Sequence, residues 1–260
     1  MSILQYDDIM ISVTILTKNS EKTLRSTLES VASFPEVILL DTGSQDKTLE
    51  IAQQFANVRI FIAPFNGFGN AHNLASSHAQ HDWILSLDSD EVLSAALVAE
   101  IHSLSLDPQV IYSMQRHNYF KGKHIKWCGG WYPDRIIRIY HRKMTRFNED
   151  AVHEKILKNG LKEFELSSPI THTPYLEISD FLNKMQLYST LYAEQHKQEK
   201  KSSLMTAILH GWYAFFKSYI LKRGFLGGAE GYIISAYNGH AAFYKYLKLT
   251  EKTYTDKKLI

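Results

Sequence analysis

The chain has 260 residues, of which 45% are hydrophobic and 22% charged, and its formal net charge is +2 at pH 7. This composition is typical of a globular protein, and the length is sufficient for a full core in one domain with an appendage. The single cysteine, Cys128, excludes an internal disulfide and fits a reducing compartment.

The formal charge is unevenly distributed along the chain. Residues 181–260 contain 12 Lys and Arg against 5 Asp and Glu, a net charge of +7, so the first 180 residues carry −5. This asymmetry indicates that the C-terminal part meets an anionic partner. The N-terminus has no basic region before an apolar segment, so we expect no signal peptide. The most apolar window, 204–216, is too short to span a membrane, and we expect a soluble or peripheral protein.

Strand-like and helix-like segments alternate through the first part of the chain. Apolar segments predict strands at 11–16, 37–40, 58–62 and 83–87, and helical periodicity lies between them at 20–31 (with Ser20 as N-cap), 45–55 and 68–79. Short connections predict a parallel sheet covered on both faces, which binds ligands at the carboxyl ends of its strands. We expect the polar segments at those ends to line one cleft: 17–19, 41–44, 64–67 and 88–90.

The pattern changes after residue 108. Residues 110–120 and 135–140 predict strands of a mixed sheet, and helical periodicity dominates from about 178, at 181–201, 203–222 and 232–247. The fold class is therefore α/β. We predict a first domain over residues 1–177 and a basic, aromatic helical region over 178–260.

The most informative stretch is Asp88-Ser89-Asp90-Glu91, at the end of the fourth predicted strand. Carboxylates at positions i and i+2 of an extended segment point the same way and repel unless a positive charge lies between them. A hard divalent cation held by one or two carboxylates together with substrate phosphates resolves that repulsion. The stretch predicts a metal-assisted site for a phosphorylated substrate.

Two other strand ends carry candidate ligand-binding residues. Asp41 opens a turn before a helix and can accept hydrogen bonds from a base or a ribose, although the same segment is equally typical of a plain turn capped by Asp46. His72 or Asn73 can reach a phosphate, although the glycine spacing around them is not that of a dinucleotide site. A polar turn with a helix cap is an equal alternative there.

Candidates for acid–base and metal chemistry lie further along the chain. Glu154 can act as a general base if a partly dry cleft raises the pKa of its carboxyl group, and Asp134 is a rival. A surface position is the default for either residue. His172 can complete a metal shell with the acidic pair, an arrangement that suits Mn²⁺ better than Mg²⁺.

Aromatic and basic residues alternate near the C-terminus. Seven aromatics between 212 and 232 are interleaved with Lys217, Lys222 and Arg223, which is typical of an amphipathic helix at an anionic lipid surface. The alternative is a helical subdomain with a solvated basic face. The aromatics Tyr112, Tyr119, Phe120, Trp127 and Trp131 fit either stacking on sugar rings or the core.

Taken together, these motifs resemble the glycosyltransferases of family 2, which have the GT-A fold. The resemblance covers nearly the whole chain and rests on SVTILTKN (12–19), DTGSQDKT (41–48), DWILSLDSDE (82–91), YPDRIIRIY (132–140) and VHE (152–154). YILKRGFLGG (219–228) and FYKYLKL (243–249) are similar to the branch that adds the first hexose to the inner core of bacterial lipopolysaccharide or lipooligosaccharide.

That resemblance implies a UDP-sugar donor and a divalent metal, Mn²⁺ or Mg²⁺. It implies that Thr17, Asn19 and Asp41 hold the base and ribose, with Ser89 and Asn73 also in the donor site. Asp88 and Asp90, with His172, are the implied metal ligands. Glu154 is the implied base of an inverting transfer, followed by Asp134 and Glu91.

The resemblance further implies a lipid-linked oligosaccharide acceptor and a cytoplasmic enzyme, peripheral on the inner membrane, with glucose as the hexose. We expect no nucleic-acid partner, and nothing in the sequence indicates an oligomeric state. Three alternatives remain: a protein or another polysaccharide as acceptor, a nucleotide-sugar-binding module without turnover, and a nucleotidyltransferase. The last would require a basic glycine-rich loop for a triphosphate, which the sequence lacks.

Overall fold

The computed structural model describes residues 10–150 and 154–258, with side chains described up to residue 252. Val152 and His153 of the VHE motif lie outside the described residues. The described strands are β1 (Ile11–Thr17), β2 (Glu36–Asp41), β3 (Val58–Ile62), β4 (Trp83–Asp88), β5 (Glu91–Leu93), β6 (Val110–Phe120), β7 (Lys123–His124), β8 (Arg135–His141), β9 (Lys162–Glu165) and β10 (Ile170–Tyr175). The α-helices are α1 (Leu24–Ser30), α2 (Thr48–Ala52), α3 (Phe68–Ser77), α4 (Ala95–His102), α5 (Ile178–His196), α6 (Leu204–Phe216) and α7 (Gly228–Lys258).

The strands form one mixed sheet in the spatial order β3-β2-β1-β4-β8-β6-β10-β5, with β7 and β9 paired to β6. The first four are mutually parallel, as predicted, and the later pairs β4/β8, β6/β8 and β5/β10 are antiparallel. The register places Thr17 of β1 opposite Asp41 of β2, and Leu16 opposite Asp88 of β4. The polar segments that follow these strands therefore begin at the same edge of the sheet.

The chain folds into two compact units. The first comprises the residues up to Arg116 together with Arg135–His172, and the second comprises His117–Asp134 together with the residues from Thr173 onward. The strands β6 and β10 run from one unit into the other. The predicted boundary between residues 177 and 178 stays a prediction.

In the first unit the strands β1, β2 and β4 are buried on both faces, whereas β3 at the edge of the sheet is half-exposed. Along β2, Val37 and Leu39 belong to one apolar cluster, and Ile38 and Leu40 belong to another. Alternate side chains of a strand point to opposite faces, so helices must cover both sides of this sheet. The continuous apolar run of β2 is the sequence signature of that arrangement.

The core of the second unit is aromatic. Tyr175 and Phe181 stack with their ring centroids 3.9 Å apart, and Trp131 stacks on Tyr175 at 5.6 Å. Phe120 is fully buried in the same cluster. Phe120 and Trp131 are therefore core residues, and so is Tyr112 of the first unit, which the sequence alone did not decide.

Several helix boundaries differ from the predictions. Helix α1 begins at Leu24, and the hydroxyl of Ser20, the predicted N-cap, hydrogen-bonds the hydroxyl of Ser89 at 2.8 Å rather than capping the helix. Helix α2 is shorter than predicted. After α6 the chain forms a π-helical turn (Lys217–Leu221) and a 3-10 turn (Gly224–Gly227) before α7. Among the helices described, none combines the length and apolar character that crossing a bilayer requires.

Candidate functional site

Hydrogen bonds join three of the four strand-end segments in the first unit. The backbone N–H of Asn19 donates to Ser44 Oγ at 2.8 Å, and the backbone N–H of Gln45 donates to Asn19 Oδ1 at 2.8 Å. Asn19 has a φ of 51°, a left-handed conformation that asparagine tolerates better than most residues. Ser20 connects the same region to Ser89. The segments after β1, β2 and β4 are therefore joined to one another, and the place of 64–67 in the predicted cleft stays a prediction.

The candidate metal ligands lie together. One ligand atom each from Asp88, Asp90 and His172 lies within 4.8 Å of the others, and His172 Nε2 is 3.4 Å from Asp90 Oδ1. The sheet explains the convergence, because Asp88 ends β4 and Asp90 directly precedes β5, whose Glu91 is opposite His172 in β10. Residues more than 80 positions apart in sequence thus meet through strand pairing.

A buried ion-pair network lies behind these ligands. Arg138 Nη2 is 2.6 Å from Asp88 Oδ2 and also hydrogen-bonds Glu91. Arg116 Nη1 is 3.2 Å from Glu91 Oε1 and 3.6 Å from Asp88 Oδ2. The second carboxyl oxygen of Glu91 accepts the Asp88 backbone N–H at 3.1 Å. Glu91 is fully buried and is engaged on both oxygens, so its contacts are those of a residue that orients Asp88.

The network sets the charge state of Asp88. Burial alone would raise the pKa of Asp88, but the positive charge of Arg138 outweighs it and holds that pKa below its usual range. Burial lowers the pKa of nearby His72 to about 4, so its imidazole is neutral at pH 7. His72 Nδ1 lies 3.2 Å from Ser86 Oγ, and its ring stacks on Phe147. His72 therefore contributes packing and no positive charge for a phosphate.

Glu154 is a carboxylate of different character. Burial raises the pKa of its carboxyl group to about 6, and the negative charge of Asp88 adds to that rise while Arg138 and Arg116 oppose it. A carboxylate with a pKa near the working pH accepts a proton more readily than an ordinary surface glutamate. Glu154 thus has the electrostatic property that its predicted role requires.

The hydrogen bonds of Asp41 are local. Its Oδ2 accepts the backbone N–H groups of Gly43 and Ser44, each at 2.9 Å, and its Oδ1 accepts the Ser44 hydroxyl. Gly43 has a φ of 104°, which glycine adopts without strain. Asp41 therefore shapes its own turn, and its contact with a base or ribose stays a prediction. Thr17 is also buried, and its Oγ1 has no hydrogen-bond partner among the described residues.

Asn73 is engaged within the protein. Its Nδ2 donates to the carbonyl of Phe147 at 3.0 Å, and its Oδ1 accepts the Phe147 N–H at 3.0 Å. This pair of hydrogen bonds ties α3 to the segment that leads toward Glu154. The predicted contact of Asn73 with the donor stays a prediction.

Asp134 belongs to the second unit, where its Oδ2 accepts a hydrogen bond from Asn118 Nδ2 at 2.9 Å. The other predicted site residues all lie in the first unit. Asp134 is therefore not among the residues that the first unit brings together around Asp88.

The donor set suits a divalent cation. Two carboxylates and one imidazole form a mixed oxygen and nitrogen set of the kind that Mn²⁺ accepts. Asp88, Asp90 and Glu91 carry three negative charges against the two positive charges of Arg116 and Arg138, so negative charge remains for a cation to neutralise. The residues present thus fit the metal that the sequence predicts.

The sequence did not reveal that three further residues contact the site: Arg138, Arg116 and Thr27. Thr27 Oγ1 donates to the carbonyl of Ser89 at 3.0 Å and so fixes the turn between the two aspartates. Arg138 did leave a signal, because an arginine within the apolar strand 135–140 is buried only when it is paired. Its partners could not be identified without the strand order.

Comparisons with known proteins identify the family of the chain. The profile of the family described as "Glycosyl transferase family 2" matches residues 12–165, which is more than half of the chain. The chain is 27% identical to an uncharacterized glycosyltransferase of Rickettsia typhi, over 96% of this chain and 90% of that protein. It is 25% identical to the lipopolysaccharide core biosynthesis glycosyltransferase LpsC of Rhizobium meliloti, over 74% and 73% respectively.

A solved structure has a similar fold. The mannosyltransferase PcManGT from Pyrobaculum calidifontis, in complex with GDP-Man and Mn²⁺, aligns over 95% of this chain and 88% of its own, with a TM-score of 0.50 and 15% identity. The matched segment 12–165 contains β1 to β4, the acidic pair and Glu154. With its mixed α/β fold of the GT-A type, the chain belongs to glycosyltransferase family 2 and is a glycosyltransferase that uses a nucleotide sugar.

Proposed function

We propose that the protein is a metal-dependent, inverting hexosyltransferase that moves glucose from UDP-glucose to a lipid-linked core saccharide of lipopolysaccharide or lipooligosaccharide. The observation that carries the proposal is the convergence of Asp88, Asp90 and His172 in the same unit as a glutamate whose pKa is raised to about 6. A metal-binding set and a separate base are what this reaction requires.

Asp88, Asp90 and His172 are the proposed metal ligands. A divalent ion held there would stabilise the charge that grows on the diphosphate as it leaves. Arg138 and Glu91 hold Asp88 in position through its carboxylate and its backbone N–H. In this proposal Glu91 is a positioning residue rather than a base, because both of its oxygens are engaged.

Glu154 is the proposed general base. The acceptor hydroxyl oxygen attacks the anomeric carbon from the face opposite the diphosphate, the bond from that carbon to the diphosphate oxygen breaks, and the hydroxyl proton moves to Glu154. UDP leaves with the electron pair of the broken bond. Thr17, Asn19, Asp41 and Ser89 are proposed to line the donor side, since all four belong to the three strand-end segments that hydrogen bonds join.

The acceptor assignment rests on similarity to LpsC, a lipopolysaccharide core glycosyltransferase. A lipid-linked acceptor places the enzyme on the cytoplasmic face of the inner membrane as a peripheral protein. A protein side chain or another polysaccharide is the competing acceptor.

The test is UDP release by purified protein, with a panel of UDP-hexoses and with Mn²⁺, Mg²⁺ or EDTA. We expect one donor to be used, with activity lost in EDTA and in Asp90→Ala. Glu154→Gln should lose transfer while retaining donor affinity. Glu149→Gln, an exposed glutamate five residues earlier, should behave as wild type.

Acceptors then decide the finer assignment. Stimulation of UDP release by purified core lipid, but not by peptide or polysaccharide, supports the proposal. Donor binding without turnover on any acceptor, with no effect of Glu154→Gln, would replace it with the binding-module alternative.

A further inference from the structure

Helix α6 of the second unit has its apolar side chains on the outside. Its buried residues are Ala207 and Gly211, whereas six of its large apolar side chains are exposed. Trp212 is 64% exposed, Met205 62% and Leu209 59%. We call the following exposed residues the α6 face: Leu204, Met205, Ile208, Leu209, Trp212 and Tyr213.

Close packing against α7 accounts for this arrangement. A Cβ added at Gly211 would lie 2.9 Å from Phe243 Cβ and 3.1 Å from the Gly239 carbonyl oxygen, and one added at Gly239 would lie 3.0 Å from Phe215 Cβ. Small residues thus allow the two helices to approach on the side where Phe215 also packs, and the six residues of the α6 face are left exposed. A soluble helix normally has the reverse pattern, with its apolar stripe toward the core.

The apolar surface continues past the end of α6. Ile220, Leu221, Phe225 and Leu226 in the following two turns are each between 44% and 57% exposed. Scattered exposed apolar residues are normal, but a contiguous set of this size marks an interaction surface.

The formal charge along this segment has one sign, and the next acidic residue, Glu230, forms an ion pair with Lys123. Residues 200–229 contain Lys200, Lys201, Lys217, Lys222 and Arg223 and no Asp or Glu. Lys217, Lys222 and Arg223 are exposed among the apolar residues of the two turns. A second copy of this chain would bring like charges together across the face, whereas an anionic bilayer would attract them.

The dimensions also favour a bilayer surface. Helix α6 has 13 residues and is therefore about 20 Å long, shorter than the roughly 30 Å hydrocarbon core of a membrane. Such a helix lies in the interface plane, where tryptophan and tyrosine are favoured.

We propose that the α6 face, with Ile220, Leu221, Phe225 and Leu226, docks into the headgroup–acyl boundary of an anionic phospholipid bilayer. Lys217, Lys222 and Arg223 contact the lipid phosphates. This inference deepens the proposed function. It rests on that function because a lipid-linked acceptor lies in the membrane to which the face docks. Docking converts a search in three dimensions into one along the membrane.

The test is co-sedimentation of the full chain with vesicles of phosphatidylglycerol and phosphatidylcholine, compared with phosphatidylcholine alone. We expect binding to the anionic vesicles that weakens as salt is raised. Leu209→Ser should reduce partitioning about tenfold, since it removes one buried apolar side chain from the bound state. Leu182→Ser is the matched control, because Leu182 is 56% exposed on helix α5 outside the face.

The charge contribution is tested separately. The double variant Lys217→Gln/Lys222→Gln should lose about fivefold in partitioning per charge, and its binding should depend less on salt. It leaves the apolar face intact and therefore keeps the test valid if Leu209→Ser fails to fold. Circular dichroism and thermal melts establish that each variant is folded.

Two results would overturn the proposal. Equal losses of vesicle partitioning in Leu209→Ser and Leu182→Ser would exclude the α6 face as the docking surface. A concentration-dependent dimer that Leu209→Ser abolishes, in a protein that does not bind vesicles, would assign the face to a second copy. UDP release from the donor alone is measured on the same proteins. If the α6 variants release UDP at the wild-type rate but no longer bind vesicles, the result supports the docking surface. If no protein releases UDP, the result counts against the proposed function and not against docking.

Discussion

At the scale of single residues, Glu154 sets the pH dependence of the proposed reaction. Its carboxyl pKa is raised to about 6, and a base acts only when ionised, so activity should fall about tenfold per pH unit below about pH 6. The profile of kcat/KM at saturating Mn²⁺ measures this. Glu149→Gln should keep the profile, and an acid limb near pH 4 in the wild type would contradict the assignment.

The same raised pKa predicts a stability effect of definite sign. The folded-state pKa of Glu154 lies above its ordinary value of 4.5, so the stability it contributes is present below about pH 4.5 and is lost as pH rises through about 6. Glu154→Gln should therefore be more stable than wild type by about 1–2 kcal/mol at pH 8, and equal to it near pH 4. Urea unfolding at both pH values checks the difference.

Arg138 and Arg135 lie on the same strand and offer a matched pair. Arg138 is buried between Asp88 and Glu91, whereas Arg135 is half-exposed beside Glu163 and Glu165. Arg138→Ala removes the nearer cation from Asp88 and from the buried Glu91, leaves Arg116 as their remaining ion-pair partner among the described residues, and should cost about 3 kcal/mol in the free energy of unfolding. Arg135→Ala should have little effect on it, because solvent screens an exposed ion pair. Equal losses in denaturant titrations would mean that the buried network adds no stability.

At the scale of elements, helix α3 fits tightly against the segment that leads toward Glu154. A Cβ at Gly69 would lie 1.9 Å from the carbonyl oxygen of Asn148, and the Gly69 N–H donates to Asp150 at 3.3 Å. Gly69→Ala should destabilise the protein by about 2 kcal/mol despite the better helix propensity of alanine, and should lower kcat as well. The control Ser77→Ala, exposed on the same helix, should change stability by less than about 0.5 kcal/mol. An unchanged kcat in Gly69→Ala would show that this segment tolerates displacement.

The elements also show why some boundaries were predictable. Fully buried strands such as β2 have no polar residue within the apolar run, so their limits are visible in the sequence to within a residue. The predicted start of α1 was wrong. Ser20 has the chemistry of an N-cap, but its hydroxyl hydrogen-bonds Ser89, 69 positions away. A local pattern does not reveal a partner at that distance.

At the scale of the whole molecule, metal binding should be coupled to stability. A ligand that binds only the folded state stabilises it, by about 2.7 kcal/mol at a concentration one hundred times its Kd. Mn²⁺ should therefore raise the Tm of the wild type and leave that of Asp90→Ala unchanged, in differential scanning fluorimetry with EDTA as reference. An equal rise in both proteins would place the bound metal away from Asp90.

By itself, the sequence determined the α/β class, the parallel sheet, the acidic pair and the family, because periodicity and short motifs are local properties. The tertiary structure decided which residues surround the acidic pair. Strand pairing places His172 beside Asp90, and Arg138 of β8 forms ion pairs with both Asp88 and Glu91. It also decided that the large side chains of α6 face outward, since close contact at Gly211 and Gly239 depends on two helices that meet only after folding. Burial and charge pairing arise between residues far apart in sequence, and for that reason only the folded chain reveals them.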